Sequence, residues 1–256
     1  MVAFKSMLYS NLKRRIADGF AVGYNIIFPL LLIWILGFLC KGMFEKELLT
    51  SYQYYGVVII PFSLFMAIVT AAYSGKDDAY ADTADRVLIA PISITTIVVP
   101  KILAEIVVFT GCSLLVFGFS SVLWKVWSLG DIIPIGILFA SISFMIASVG
   151  TYMGLGMKNF MRIKNILNVP IVLFAILAGC FFRFGTFHKG LQVLINLSPL
   201  TWVNRGIFMM IYDDNITILY TVCAVFTLIG FMFTMLSIVC FKKEEYGYGK
   251  LSGYEK

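Results

Sequence analysis

Apolar runs of about 20 residues recur along the whole chain, broken only by short polar segments, and about 20 residues is what an α-helix needs to cross a hydrocarbon layer. No other feature restricts the fold as strongly. Apolar residues make up 60% of the 256 positions and charged residues only 13%, more apolar surface than one water-soluble core can hide. The chain therefore reads as an all-α integral membrane protein whose solvent is lipid.

The runs predict six transmembrane helices, at about 20–40, 52–73, 94–123, 132–157, 166–182 and 216–241, within one transmembrane domain covering 1–256. The first run is too long for the apolar region of a signal peptide and is expected to remain as a span. Pro29, Pro61 and Pro170 fall inside runs, where neighbouring helices can re-satisfy the freed carbonyls. Residues 1–18 set Phe4, Met7, Leu8, Leu12 and Ile16 near helical spacing, with Lys5, Lys13, Arg14 and Arg15 elsewhere. That pattern fits an amphipathic interfacial helix, or else a basic flank that only fixes orientation. Segment 183–215 is too polar to span and too apolar for a plain loop, and is expected to form one or two short re-entrant or capping helices. In the fourth run Ser143, Ala147, Gly150 and Gly154 line one helical face, a stripe that lets another helix approach closely.

Six crossings put both termini on one side. That side carries 14 of the 20 Lys and Arg residues and the other six, so the positive-inside bias places the termini, segment 74–91 and the tail 242–256 in the cytoplasm of a multi-pass cell-membrane protein. The net charge of +6 is accounted for by topology, and no basic cluster with interleaved aromatics points to nucleic acid.

Catalytic and metal-binding constellations are missing from the sequence. Cys40, Cys112, Cys180, Cys223 and Cys240 lie one per apolar run with no Cys-x-x-Cys pair, and read as small apolar fillers. The single histidine, His188, has no acidic or thiol neighbour. Asp18-Gly19 lacks the following Arg and the further aspartates that a metal-binding phospholipid synthase needs. No Gly-x-x-x-x-Gly-Lys loop occurs, so any ATP-driven work must use a nucleotide held by another chain. One charge stands out: Glu105 lies well inside the third run, where it costs about 2.5–3.5 kcal/mol unless paired. Lys101, four residues earlier on the same face, is its expected partner in an intrahelical pair; a proton or ion relay is the alternative.

The remaining signal is the polar interruption 74–91, which ends in Thr83-Ala-Asp-Arg-Val-Leu-Ile-Ala-Pro-Ile-Ser93 and is followed by Lys101. With Leu197-Ser-Pro-Leu-Thr-Trp202 and Arg205 before the last run, it resembles two stretches of the membrane subunit of type-2 ATP-binding cassette (ABC) exporters, and the order of features is similar over nearly the whole chain. The resemblance implies a non-enzymatic permease subunit, paired with a second copy or a related permease chain, resting on a cytosolic ABC ATPase subunit that holds ATP and Mg. The interruption would then be a coupling helix, with Asp77, Asp78, Asp82, Asp85 and Arg86 giving charge-assisted hydrogen bonds and Val87, Leu88 and Ile89 an apolar anchor ahead of Pro91. The transport path would lie between the two permease subunits, walled by Phe62, Phe65 and Met66 on the second span and Phe174, Leu177 and Phe181 on the fifth. Such a wall suits export of a hydrophobic or amphipathic cargo, such as a drug, an antimicrobial peptide or a lipid-like molecule. An ion-coupled carrier or channel using Glu105, and an immunity or sensor protein that binds without transporting, are the other classes compatible with the sequence.

Overall fold

Polar breaks in the sequence stop one helix and cap the next. The computed structural model describes residues 2–45, 49–81, 83–125, 131–157, 160–181, 189–241 and Tyr246, and every regular element among them is helical. Asp18 follows α1 (Val2–Ala17) and caps α2 (Gly19–Leu39), its carboxylate accepting from the Ala21 amide at 3.0 Å. A 3-10 turn, Lys41–Phe44, precedes α3 (Ser51–Met66), which opens on a reciprocal capping box between Thr50 and Gln53. After the single residue Ala67, α4 (Ile68–Tyr80) continues the same rod. The short α5 (Ala84–Ile89) ends before Pro91, and Ser93 caps α6 (Ile94–Trp124) by accepting from the Thr96 amide. The chain continues through α7 (Ile132–Gly156), α8 (Phe160–Leu177), α9 (Lys189–Leu197), α10 (Pro199–Asp213) and α11 (Thr217–Val239).

Five helices among the described residues are long and apolar enough to cross a membrane: Ala21–Leu39, Ser51–Ala79, Ile94–Trp124, Ile132–Gly156 and Thr217–Val239. The expected fifth run instead contributes a shorter apolar stretch, Asn168–Leu177. Its helix begins earlier than expected, at Phe160, and ends earlier, at Leu177. The early end has a local cause. Gly179 adopts a left-handed backbone with φ 77°, the Cys180 amide donates to the Ala175 carbonyl and the Gly179 amide to the Ile176 carbonyl, which is a Schellman stop. Carbonyls freed beyond it are satisfied within the protein: Tyr54 donates to Gly179, Tyr55 to Phe181 and Asn204 to Ala178.

Segment 74–91 also departs from its reading as one polar break. Residues 74–80 are the last turns of α4, with Ser74, Lys76 and Asp78 buried. Paired charges replace the water that a solvated loop would have used. From segment 183–215 the described part forms two helices, α9 and α10, clamped by the Trp202 indole donating to the Asn196 carbonyl at 2.8 Å. Residues 182–188, including His188, lie outside the described residues, as does the tail except Tyr246.

The α3–α4 rod runs through the centre of the bundle. Its lower half packs on α7 at very short range because both faces carry small residues: a Cβ on Gly75 would meet the Gly154 Cα at 2.8 Å, and one on Gly154 would overlap the Ala72 carbonyl oxygen. The stripe expected on the fourth run, with Ser143 and Ala147 also buried, thus faces a neighbour in its own chain. On another face α7 meets α11, where Ser148 and Thr234 hydroxyls lie 3.0 Å apart and Gly230 makes room for the Phe144 ring.

Overpacking of this kind costs about 1–3 kcal/mol. Gly154→Ala is therefore expected to lower the melting temperature of the detergent-solubilised protein. Gly111→Ala, at a helical glycine with nothing within 4 Å, should leave it unchanged or raised; equal melting of the two variants would contradict this packing.

Candidate functional site

Two neighbouring features lie at the end of the bundle where α1, the end of α4, the start of α6 and Tyr246 converge: a buried ionic core and the outer face of α5. The core starts on α1. Asn11 and Arg15, one turn apart, are its buried residues, and α1 lies along α6. Arg15 reaches past its own helix, its Nε donating to Glu105 Oε1, one terminal nitrogen to Asp18 at 3.3 Å and the other to the Thr70 carbonyl at 2.8 Å. Glu105 is 0% exposed. A carboxylate so placed is tolerable only beside a cation, and the planar guanidinium supplies one with directional donors.

Asp78 collects the other cations. Its Oδ2 lies 2.6 Å from Lys101 Nζ and its Oδ1 3.0 Å from Arg14. The Tyr246 hydroxyl donates to Oδ2 at 2.5 Å, and the Tyr246 ring sits beneath the Lys101 ammonium at 5.9 Å. Burial first, then the charge of Asp78, hold the Tyr246 phenol well above its ordinary range. Lys101 also donates to the Ser74 carbonyl at 3.2 Å.

The intrahelical pair expected from the four-residue spacing is thus replaced. Lys101 turns to Asp78 on α4 and Glu105 to Arg15 on α1, because those partners bring shorter contacts inside the packed bundle than two long side chains on one helix face offer. The sequence reading did not place Arg15, Asp18 or Tyr246 in such a core, and Asp78, expected to face an ATPase, is instead buried within it because Lys101 and Arg14 claim its carboxylate.

The α5 helix has two faces. Ala84 is buried, and Val87, Leu88 and Ile92 pack on a small apolar cluster with Ile97, Val98, Ile102 and Tyr246. Outward it presents Asp85, Arg86 and Ile89, followed by exposed Pro91; Ile89 is 84% exposed. Of the anticipated coupling residues, Asp85, Arg86 and Pro91 face outward, while Val87 and Leu88 lean inward because the helix needs an apolar face to dock on the bundle. Of the three expected anchor residues, Ile89 alone is exposed. Asp82 lies outside the described residues.

The six anticipated wall residues do not share one surface. Phe62 and Phe65 are buried, Phe62 edge-on to Phe181 at 5.3 Å and Phe65 edge-on to Phe226 at 6.0 Å. Phe174 is half-buried against the same core, and Leu177 is half-buried. Met66 lines a cleft of about 440 Å³ that reaches to Arg15. The second anticipated motif also has a structural part to play: Pro199 opens α10, the Ser198 hydroxyl donates to the Phe174 carbonyl at 3.0 Å, and the Arg205 guanidinium stacks 5.2 Å over Trp202.

Membrane-length apolar helices packed side by side, with charges gathered at one end, define a multi-pass membrane protein. The chain belongs to the ABC-2 type transporter family, whose family model matches residues 2–212. That membership makes it the permease component of an ABC transporter, a class that works with an ABC ATPase subunit. No curated protein matches the chain.

Removing one member of a buried ion pair costs about 3–5 kcal/mol, much of it from the charge left behind, whereas removing both is often nearly neutral. Arg15→Met alone should therefore destabilise the protein markedly, and adding Glu105→Leu should restore most of the loss, read as thermal melting in a double-mutant cycle. Additive losses would mean that the two side chains are not paired.

Proposed function

We propose that this chain is the permease half of an ATP-driven exporter of hydrophobic or amphipathic molecules, and that α5 is the element through which a cytosolic ATPase subunit moves it. The observation that carries the proposal is the outer face of α5: an exposed isoleucine flanked by Asp85 and Arg86, on a six-residue helix whose other face is docked on α6 and Tyr246. An apolar knob ringed by charge is the form expected of a small protein-binding anchor. Nucleotide and Mg belong to the partner, and two permease chains, identical or related, enclose the path.

Topology supports the same reading. Arg14, just before the first crossing, and Tyr246, after the last, meet on one carboxylate. We read α8, with its apolar stretch Asn168–Leu177, as a sixth crossing beside the five long helices, a reading supported by the meeting of Arg14 and Tyr246 at one end. With six crossings, the Lys and Arg asymmetry puts both termini, α1 and α5 on the cytoplasmic side, and α9 and α10 on the outer side. An ion-coupled carrier would need an intramembrane acid available for exchange, and Glu105 is engaged by Arg15.

Force reaches the bundle by a short route in this reading. Thr83, at the start of α5, donates from both its amide and its hydroxyl to the Asp78 carbonyl, so a push on α5 acts directly on the α4 terminus and through Asp78 on α1, α6 and Tyr246.

Co-expression with the cognate ATPase tests the assignment. Ile89→Asp and Arg86→Ala are expected to lower co-purification of the ATPase and to abolish substrate-stimulated ATP hydrolysis by the complex, while leaving the melting temperature of the permease alone unchanged. Wild-type assembly and hydrolysis in both variants would remove α5 from the coupling role.

A further inference from the structure

The cleft of about 440 Å³ lies between α2, α4 and α8 in the half of the bundle that holds the ionic core. Its polar lining is Arg15, Asp18, Thr70 and Asn168, and the rings of Tyr24 and Tyr73 with Met66 and Val69 complete it. Polar and apolar side chains sharing one cleft suit an amphiphile, and the charges decide the sign of its head.

The only cation lining the cleft among the described residues is Arg15, and each of its three nitrogens already has an acceptor: Glu105, Asp18 and the Thr70 carbonyl. Two carboxylates therefore face one guanidinium, so this group of three carries a net negative charge and the cleft is a poor host for an anion. A cation meets the opposite. Asp18 is partly exposed and keeps acceptor capacity beyond the Ala21 amide and Arg15. The Asn168 Oδ1 is buried at the cleft with no hydrogen-bond partner among the described residues, an acceptor awaiting a donor. Two tyrosine rings beside a carboxylate form the surroundings in which an ammonium gains from ring faces as well as from charge.

We infer that this cleft binds the ammonium head of a cationic amphiphile, with the head at Asp18, Asn168, Tyr24 and Tyr73 and the apolar body along Met66 and Val69. The inference rests on the permease reading and adds to it the charge class of the cargo. An ammonium head is carried both by soluble cationic amphiphiles and by aminophospholipids of the bilayer, and both present the same chemistry to the cleft.

The experiment uses the purified full chain in dodecyl maltoside micelles and a matched pair of fluorescent probes, dansylcadaverine with a terminal ammonium and dansyl-6-aminohexanoate with a carboxylate. Dansylcadaverine should bind saturably and at least about tenfold more tightly than its anionic counterpart. Asp18→Asn, which keeps a helix-capping side chain and so should keep the fold, is expected to weaken cation binding about tenfold, and Tyr73→Leu about threefold. Equal affinity for the two probes, or Asp18→Asn binding the cation like wild type, would overturn the inference. Competition by added phosphatidylethanolamine but not phosphatidylglycerol would identify the bilayer as the source of the ammonium; absence of competition would identify a soluble amphiphile. In proteoliposomes with the ATPase, cation binding without ATP-driven flux would sink the permease reading alone, and ATP-driven flux of the anionic probe without cation binding would sink this inference alone.

Discussion

Buried charge is the constraint on which this bundle turns. Glu105 and Asp78 sit where an unpaired carboxylate would be intolerable, and each draws its cation from another helix: Arg15 from α1, and Arg14 and Lys101 from α1 and α6. Such pairs are weak evidence for stability, since an apolar replacement of equal volume often does as well, but they are strong determinants of which surfaces may meet. The cost of leaving either carboxylate alone holds α1 against the bundle, the end of α4 against α6, and the tail at Tyr246 beneath both. The outer face of α5 takes its position from that arrangement, because its first residues hang from the Asp78 carbonyl and its inner face rests on the cluster containing Tyr246.

A second constraint is steric. The α4 helix can lie deep in the bundle with its charged end buried only because Ala71, Ala72 and Gly75 meet Gly150 and Gly154 with almost no side chain between them. Without a hydrophobic drive between helices in lipid, close backbone approach and van der Waals contact must hold them together. The small-residue stripe and the ionic core therefore act in series: the first brings α4 to α7, and the second fixes its end against α1 and α6. The cleft at Asp18 and Tyr73 lies alongside this junction, so whatever occupies it touches the same helix that leads to α5.

Much of this was legible in advance. The α2, α6, α7 and α11 helices begin and end within a residue or two of their apolar runs, since run length is a local signal. The small-residue face of α7 and the two helices before α11 were visible for the same reason. One error came from reading polarity as exposure: residues 74–80 look like a loop and are the buried end of a helix. Val87 and Leu88, apolar and expected to anchor a partner, pack on their own bundle. The shortened α8 is a different case, because a single glycine taking a left-handed conformation ended a helix that apolar content would have carried on to 182.

By itself the sequence determined the solvent, the order of the apolar runs and their uneven Lys and Arg content, since each depends on residues within a few turns of one another. Only the tertiary structure decided which of the adjacent Lys13, Arg14 and Arg15 is buried, that Lys101 and Glu105 part to different partners, and that Tyr246 closes the core. Those choices are made between residues far apart in the chain, with Arg15 and Glu105 separated by 90 positions and Asp78 and Tyr246 by 168. Helical periodicity reports which side of a helix a residue occupies; the charge it will face there is set by whichever helix the packing brings alongside.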